Sequence, residues 1–101
     1  MKGSARMTRI HSYREGFPIF KALGSDARIR ILEMLIEKGP QFMGAIAEEL
    51  MMTGGALTAH IKMLHDAGLI AIEKRTGRHG IMKICSINNE GLVMEPPLGE
   101  S

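Results

Sequence analysis

The stretch Thr53-Gly54-Gly55-Ala56-Leu57-Thr58-Ala59-His60-Ile61-Lys62-Met63-Leu64-His65-Asp66-Ala67-Gly68 decides how the chain folds. Leu57, Ile61 and Leu64 recur at the i, i+4, i+7 spacing of one helical edge. At about 100° per residue the other edge carries Gly55, Thr58, Ala59 and Lys62. One side is built for a core; the other is small and polar and free to meet a partner. Thr53 suits the N-cap, where its hydroxyl accepts from an unpaired first-turn amide. Gly68 is the C-terminal stop.

A basic hairpin comes directly after Gly68. Strands over 69–75 and 81–87 flank Thr76-Gly77-Arg78-His79-Gly80, a loop somewhat longer than the tightest kind. From Leu69 to Cys85 four cations (Lys74, Arg75, Arg78 and Lys83) face one anion, Glu73, leaving +3, while the whole chain carries only +2. The positive field is therefore local, as contact with a polyanion requires.

Reading backwards from Thr53, residues 44–50 predict a short helix with Ile46, Ala47 and Leu50 inward. Residues 51–55 form the turn. Gln41-Phe42 suits a very short strand. Before it, Ser25-Asp26 opens a helix whose apolar face is Ile29, Leu32, Leu35 and Ile36, closed by Gly39-Pro40. In the stretch 12–24, Pro18 suits a first helical turn. Phe17, Phe20 and Leu23 share one face there, and Gly24 ends the helix. The chain thus divides into a flexible arm (1–12), one domain (13–87) and a tail (88–101) that is disordered or holds a short turn near Gly91 to Met94. The predicted class is mainly α with a small β-hairpin, a winged helix-turn-helix.

In that arrangement the helix over 53–67 enters the major groove of a duplex. Thr58 donates or accepts at a base edge or phosphate. Ala59 offers a methyl contact, and Lys62 reaches phosphate or guanine. Gly55 lets the helix start approach the backbone, where free amides favour a phosphate. Arg78, at the hairpin tip, suits a narrow minor groove. Lys74, Arg75 and Lys83 are expected on phosphates, with His79 as a further phosphate contact. The alternative for the same fold is a module that grips a protein partner without operator DNA.

Other classes find little support. No serine, cysteine or lysine stands in a nucleophile pattern with histidine and carboxylate, so no catalytic residue is assigned. The histidines lack metal-ligand spacing, and neither a metal nor a cofactor is expected. No apolar run approaches the roughly 18 residues of a membrane span. The N-terminus has no apolar signal segment, so a cytoplasmic protein without membrane association is expected. One cysteine, Cys85, excludes an internal disulfide. Its alternating apolar surroundings predict a buried thiol, with redox sensing the weaker reading.

Residues 20–87 resemble the ArsR-type winged-helix repressors. Three stretches carry the likeness: Lys21 to Leu32, Ala56 to Leu64 continuing through Ala67-Gly68-Leu69-Ile70, and Arg75 to Ile84. The second, with threonine two before histidine, is the most specific. The resemblance implies a homodimeric, operator-binding transcriptional regulator, with repression the expected outcome and an effector of unspecified chemistry. It places DNA contacts at Thr58, Ala59, Lys62, Arg78 and His79. It also implies a dimer built from the first helix and a C-terminal helix. No convincing helix is seen after residue 88, so Phe17, Phe20 and Leu23 are assigned to the dimer interface. Ala59 departs from the glutamine or arginine common in the family. The cysteines of metal-sensing members are missing from residues 42–50.

Overall fold

The computed structural model describes residues 6–95. The expected looseness of residues 1–5 and 96–101 lies outside it. The elements run β1 (Met7–Ile10), α1 (Tyr13–Leu23), α2 (Asp26–Lys38), β2 (Gln41–Phe42), α3 (Met43–Leu50), α4 (Gly54–Asp66), β3 (Ile70–Gly77), β4 (Gly80–Ile87) and β5 (Gly91–Met94). A three-stranded sheet in the order β2-β4-β3 packs on the helices, and β1 and β5 form a separate parallel pair.

The caps form as their residue types dictate. Ser25 Oγ accepts from the Arg28 amide, and Thr53 Oγ1 accepts from the Ala56 amide at 3.1 Å. Gly68 leaves α4 at φ +79, in the left-handed region that glycine enters without penalty. Helix α1 begins earlier than predicted. Ser12 is its N-cap, accepting from Glu15 N, so Pro18 lies inside the helix and not in its first turn. The Glu15 carboxylate reaches back to the His11 amide at 2.6 Å, which secures this earlier start.

The core joins the helices to the sheet: Ala22, Ile31, Met34, Leu35, Ile46, Leu57, Ile61, Leu64, Leu69, Ile70 and Cys85 are buried. Leu57, Ile61 and Leu64 occupy it as their spacing predicts. The face of α2 is a correction. Ile31, Met34 and Leu35 are buried, whereas Ile36 is 68% exposed. The helix has turned so that Ile31 and Met34 fill the core, and Ile36 lines an open groove against Ile87 and Leu92.

The strands require two further corrections. The hairpin is longer and its turn tighter than expected: β3 and β4 stay paired to Gly77↔Gly80, leaving only Arg78 and His79 in the turn. Gly80, at φ +106, takes the left-handed step that closes it. At the chain's ends, Met7–Ile10 pairs in parallel register with Gly91–Met94, from Met7↔Gly91 to Ile10↔Met94. Part of the expected arm and the expected turn near Gly91 are thus a strand pair. Ile10 is 1% exposed and anchors the pair against α1. It reaches that depth because residue 16 is glycine: a Cβ there would stand 2.8 Å from Ile10 Cγ2.

Candidate nucleic-acid interface

Helix α4 is held on three sides. Its apolar edge is buried, its start is capped by Thr53, and it follows α3 through a turn at Met51. That residue has φ +57 and donates its amide to the last carbonyls of α3. Among the described residues it is the only non-glycine with positive φ. The turn fixes the angle between the two helices, and the outward edge of α4 is set by it. Gly55, Thr58, Ala59 and Lys62 are all exposed.

A third tether comes from Arg28, which sequence reasoning left pointing away from the body. It is half-buried. Its Nε donates to Ala22 O at 2.7 Å and its Nη2 to Lys21 O at 3.3 Å. Its Nη1 lies 3.2 Å from His60 Nδ1, which accepts. One guanidinium therefore closes the C-terminal carbonyls of α1 and pins α4 through His60. The expected packed histidine is present, but its partner is a side chain and not the backbone.

The wing presents Lys74, Arg75, Arg78, His79 and Lys83, every one exposed. Lys74 and Lys83 stand directly opposite each other across the ladder. Side chains alternate between faces, so this pair lies on the face that buries Ile72 and Cys85 nearer the root. Like charges in register destabilise a hairpin. Such a pair favours the fold only when a polyanion lies between or beside the two ammonium groups. Arg75 is on the other face, with its Nη2 3.6 Å from Glu73 Oε1. It is thus the least free of the wing cations.

Lys62 is not free either. Its Nζ lies 2.8 Å from Asp66 Oδ2, one helical turn on. Hydrogen bonding to Asp66, reinforced by its charge, holds the Lys62 ammonium above the usual lysine range. The same hydrogen bond holds the Asp66 carboxyl below the usual carboxylate range. Both groups are fully exposed, so the pair is a weak structural bond but a real local neutralisation. The i, i+4 spacing of Lys62 and Asp66 was a readable signal for it. The pair borders a cleft of about 310 Å³ between α1 and α4, with Lys21, Pro18, Ala59 and Met63 on its walls. Lys21 is a cation beside α4 that sequence reasoning did not assign to the DNA-facing set.

Phe17 and Phe20, on α1, are 52% and 36% exposed, and Leu23 is half-buried against the core. The Arg14 guanidinium lies 5.9 Å from the Phe17 ring centroid. Cys85 is fully buried, and burial pushes its thiol pKa up, with Lys83 opposing. That environment makes it a packing residue. Among the described residues no three His, Cys, Asp or Glu side chains come close enough to hold a metal ion, and no helix is long and apolar enough to cross a membrane.

A three-helix core, a turn-linked outward helix and a cationic two-stranded wing define a winged helix-turn-helix domain. Comparison with known proteins agrees. The helix-turn-helix domain family model matches residues 23–73. A relative in Methanocaldococcus jannaschii, an uncharacterised HTH-type transcriptional regulator, is 31% identical over 65 residues, 64% of this chain and 73% of its own. An ArsR family transcriptional regulator, RHA00566, superposes with TM-score 0.63 at 31% identity, covering 73% of this chain and 76% of that one. The homodimeric winged helix-turn-helix DNA-binding domain Mb0332 of Mycobacterium bovis superposes with TM-score 0.64 at 25% identity, covering 89% and 78%. The chain belongs to the helix-turn-helix domain family, as a DNA-binding regulator of the ArsR-type winged-helix group.

Proposed function

We propose that the protein binds operator DNA as a homodimer and regulates transcription by covering it. Helix α4 enters the major groove through Gly55, Thr58, Ala59 and Lys62. Lys74, Lys83, Arg75, Arg78 and His79 on the wing hold phosphates or the adjacent minor groove. The dimer seats two α4 helices about 34 Å apart on a pseudo-palindrome, and it is assembled through the α1 face of Phe17, Phe20 and Leu23. Homodimerisation is drawn from the Mycobacterium bovis domain, which forms one. The cytoplasm is its expected location, and a small-molecule effector of unspecified chemistry is compatible with this design.

The single observation that carries this reading is the opposed Lys74–Lys83 pair on an exposed wing that follows α4 directly. A hairpin built for stability alone avoids like charges in register. The choice of Ala59 leaves thin direct base reading on α4, so the wing and DNA shape carry much of the discrimination.

The test is selection of bound sites from a random duplex pool, followed by anisotropy titrations across salt concentrations. Arg78→Ala is expected to weaken binding to all duplexes and to reduce the salt slope by about 0.9. Thr58→Ala should change sequence preference more than bulk affinity. A protein that ignores duplex DNA even at low salt would return the reading to a protein-gripping module.

A further inference from the structure

The strand pair at the chain's ends needs an explanation that the DNA-binding reading does not supply. Parallel strands are found almost only where both faces are covered, and an isolated two-stranded pair is marginal in water. Here β1 and β5 form such a pair, and no third strand joins them among the described residues. One face is covered: Ile10 is buried, and Leu92 packs against the core cluster. Met7 and Met94 remain 40% and 50% exposed. The pair also abuts the uncovered aromatic residues of α1, since Gly16 lets Ile10 lie against the Phe20 ring.

The charges on the pair are sorted by strand. Arg6 and Arg9 precede or occupy β1, and Glu90 and Glu95 flank β5. Arg9 Nη1 reaches Glu95 Oε1 at 2.6 Å, and Glu90 accepts from the Arg6 amide. A surface that meets a second copy of itself must be self-complementary. A two-fold axis running along these strands lays cationic β1 of one copy over anionic β5 of the other. A patch of one sign would repel itself there; this one attracts.

We infer that the β1–β5 pair is a seam to a second copy of this chain, continuous with the α1 face of Phe17 and Phe20. It takes the place that the resemblance gives to a C-terminal helix. This rests on the homodimer reading above. It adds that the terminal strands, and not α1 alone, hold the dimer together.

Sedimentation equilibrium on the full chain tests it. Met94→Asp is expected to raise the dimer dissociation constant about 100-fold, the loss expected for a buried charge at a contact centre. Arg9→Glu and Glu95→Arg should each weaken self-association, while an equimolar mixture of the two associates more tightly than either alone. That rescue separates the seam from folding, because the pair within each copy stays broken in the mixture while the pairs between copies are restored. Circular dichroism melts of the variants confirm that they fold. If the unaltered chain is a monomer at high micromolar concentration, the homodimer reading itself fails. If it is a dimer that Phe17→Asp splits while Met94→Asp and both charge reversals leave it intact, or if the mixture shows no rescue, the seam is wrong and the α1 dimer stands.

Discussion

Met51 sits at φ +57 in the turn between α3 and α4 and is 91% exposed. A side chain with a Cβ in the left-handed region costs roughly 1–2 kcal/mol, and asparagine bears that conformation better. Nothing buried is lost by replacing it. Met51→Asn is therefore expected to stabilise the domain by about 0.5–1 kcal/mol, read as a higher urea midpoint at unchanged slope. A lower midpoint would mean that the methionine makes a contact the turn needs. Asp66 poses the converse case, where a residue acts on function without stabilising the fold. Its carboxylate neutralises Lys62 on the DNA-facing edge of α4. Asp66→Asn removes an anion that both masks Lys62 and repels the phosphates, so duplex affinity should rise roughly fivefold at low salt and less as salt screens the charge. Equal affinity for the two proteins would place Lys62 away from the phosphates. At this scale the sequence was legible where a residue type has one dominant use: Thr53 and Ser25 as caps, Gly68 as a stop. It was opaque for Arg28, since an arginine on a helix surface gives no sign that two carbonyls and a histidine are waiting within its reach.

The hairpin shows where helices and strands differ in legibility. Helix α4 was readable because three buried aliphatics at fixed spacing leave one orientation. Helix α2 was not, because its apolar residues over 29–36 are dense enough to support two neighbouring faces, and contacts with α3 and β4 selected the one holding Ile31 and Met34. The length of the wing was hidden for another reason. Beyond Glu73 every β3 residue is exposed, so no alternation of burial marks the pairing that continues to Gly77. Backbone hydrogen bonds alone carry it there, and Lys74 facing Lys83 works against it. Lys74→Thr should therefore move stability and function in opposite directions. Removing a like-charge pair and adding a β-branched side chain should stabilise the hairpin by roughly 0.2–1 kcal/mol. The loss of one phosphate contact should weaken duplex binding and reduce the salt slope by about 0.9. A variant that is both more stable and equally tight on DNA would remove Lys74 from the interface.

At the scale of the whole molecule, the winged-helix body between residues 13 and 87 was legible from periodicity, caps and charge, whereas the β1–β5 pair was not. Four-residue strands from opposite ends of the chain carry no local periodicity, and a parallel pairing across the full sequence leaves no turn signal to find. What couples this pair to the body is one close approach. A Cβ on Gly16 would stand 2.6 Å from the Phe20 ring and 2.8 Å from Ile10 Cγ2. The ring can swing outward, since Phe20 is partly exposed, but Ile10 is buried and has nowhere to go. Overpacking of this kind costs typically about 1–3 kcal/mol, and valine adds little helix propensity to offset it. Gly16→Val should thus unseat β1, and with it β5, before it disturbs α4 or the wing, because regions with few buried contacts open first. Native-state hydrogen exchange is the appropriate measurement. Amide protection is expected to fall across residues 7–10 and 91–94 while that of Leu57, Ile61 and Leu64 persists. Uniform loss across both regions would mean that the terminal pair and the helical body unfold as one unit, and that the ends of the chain are part of the core.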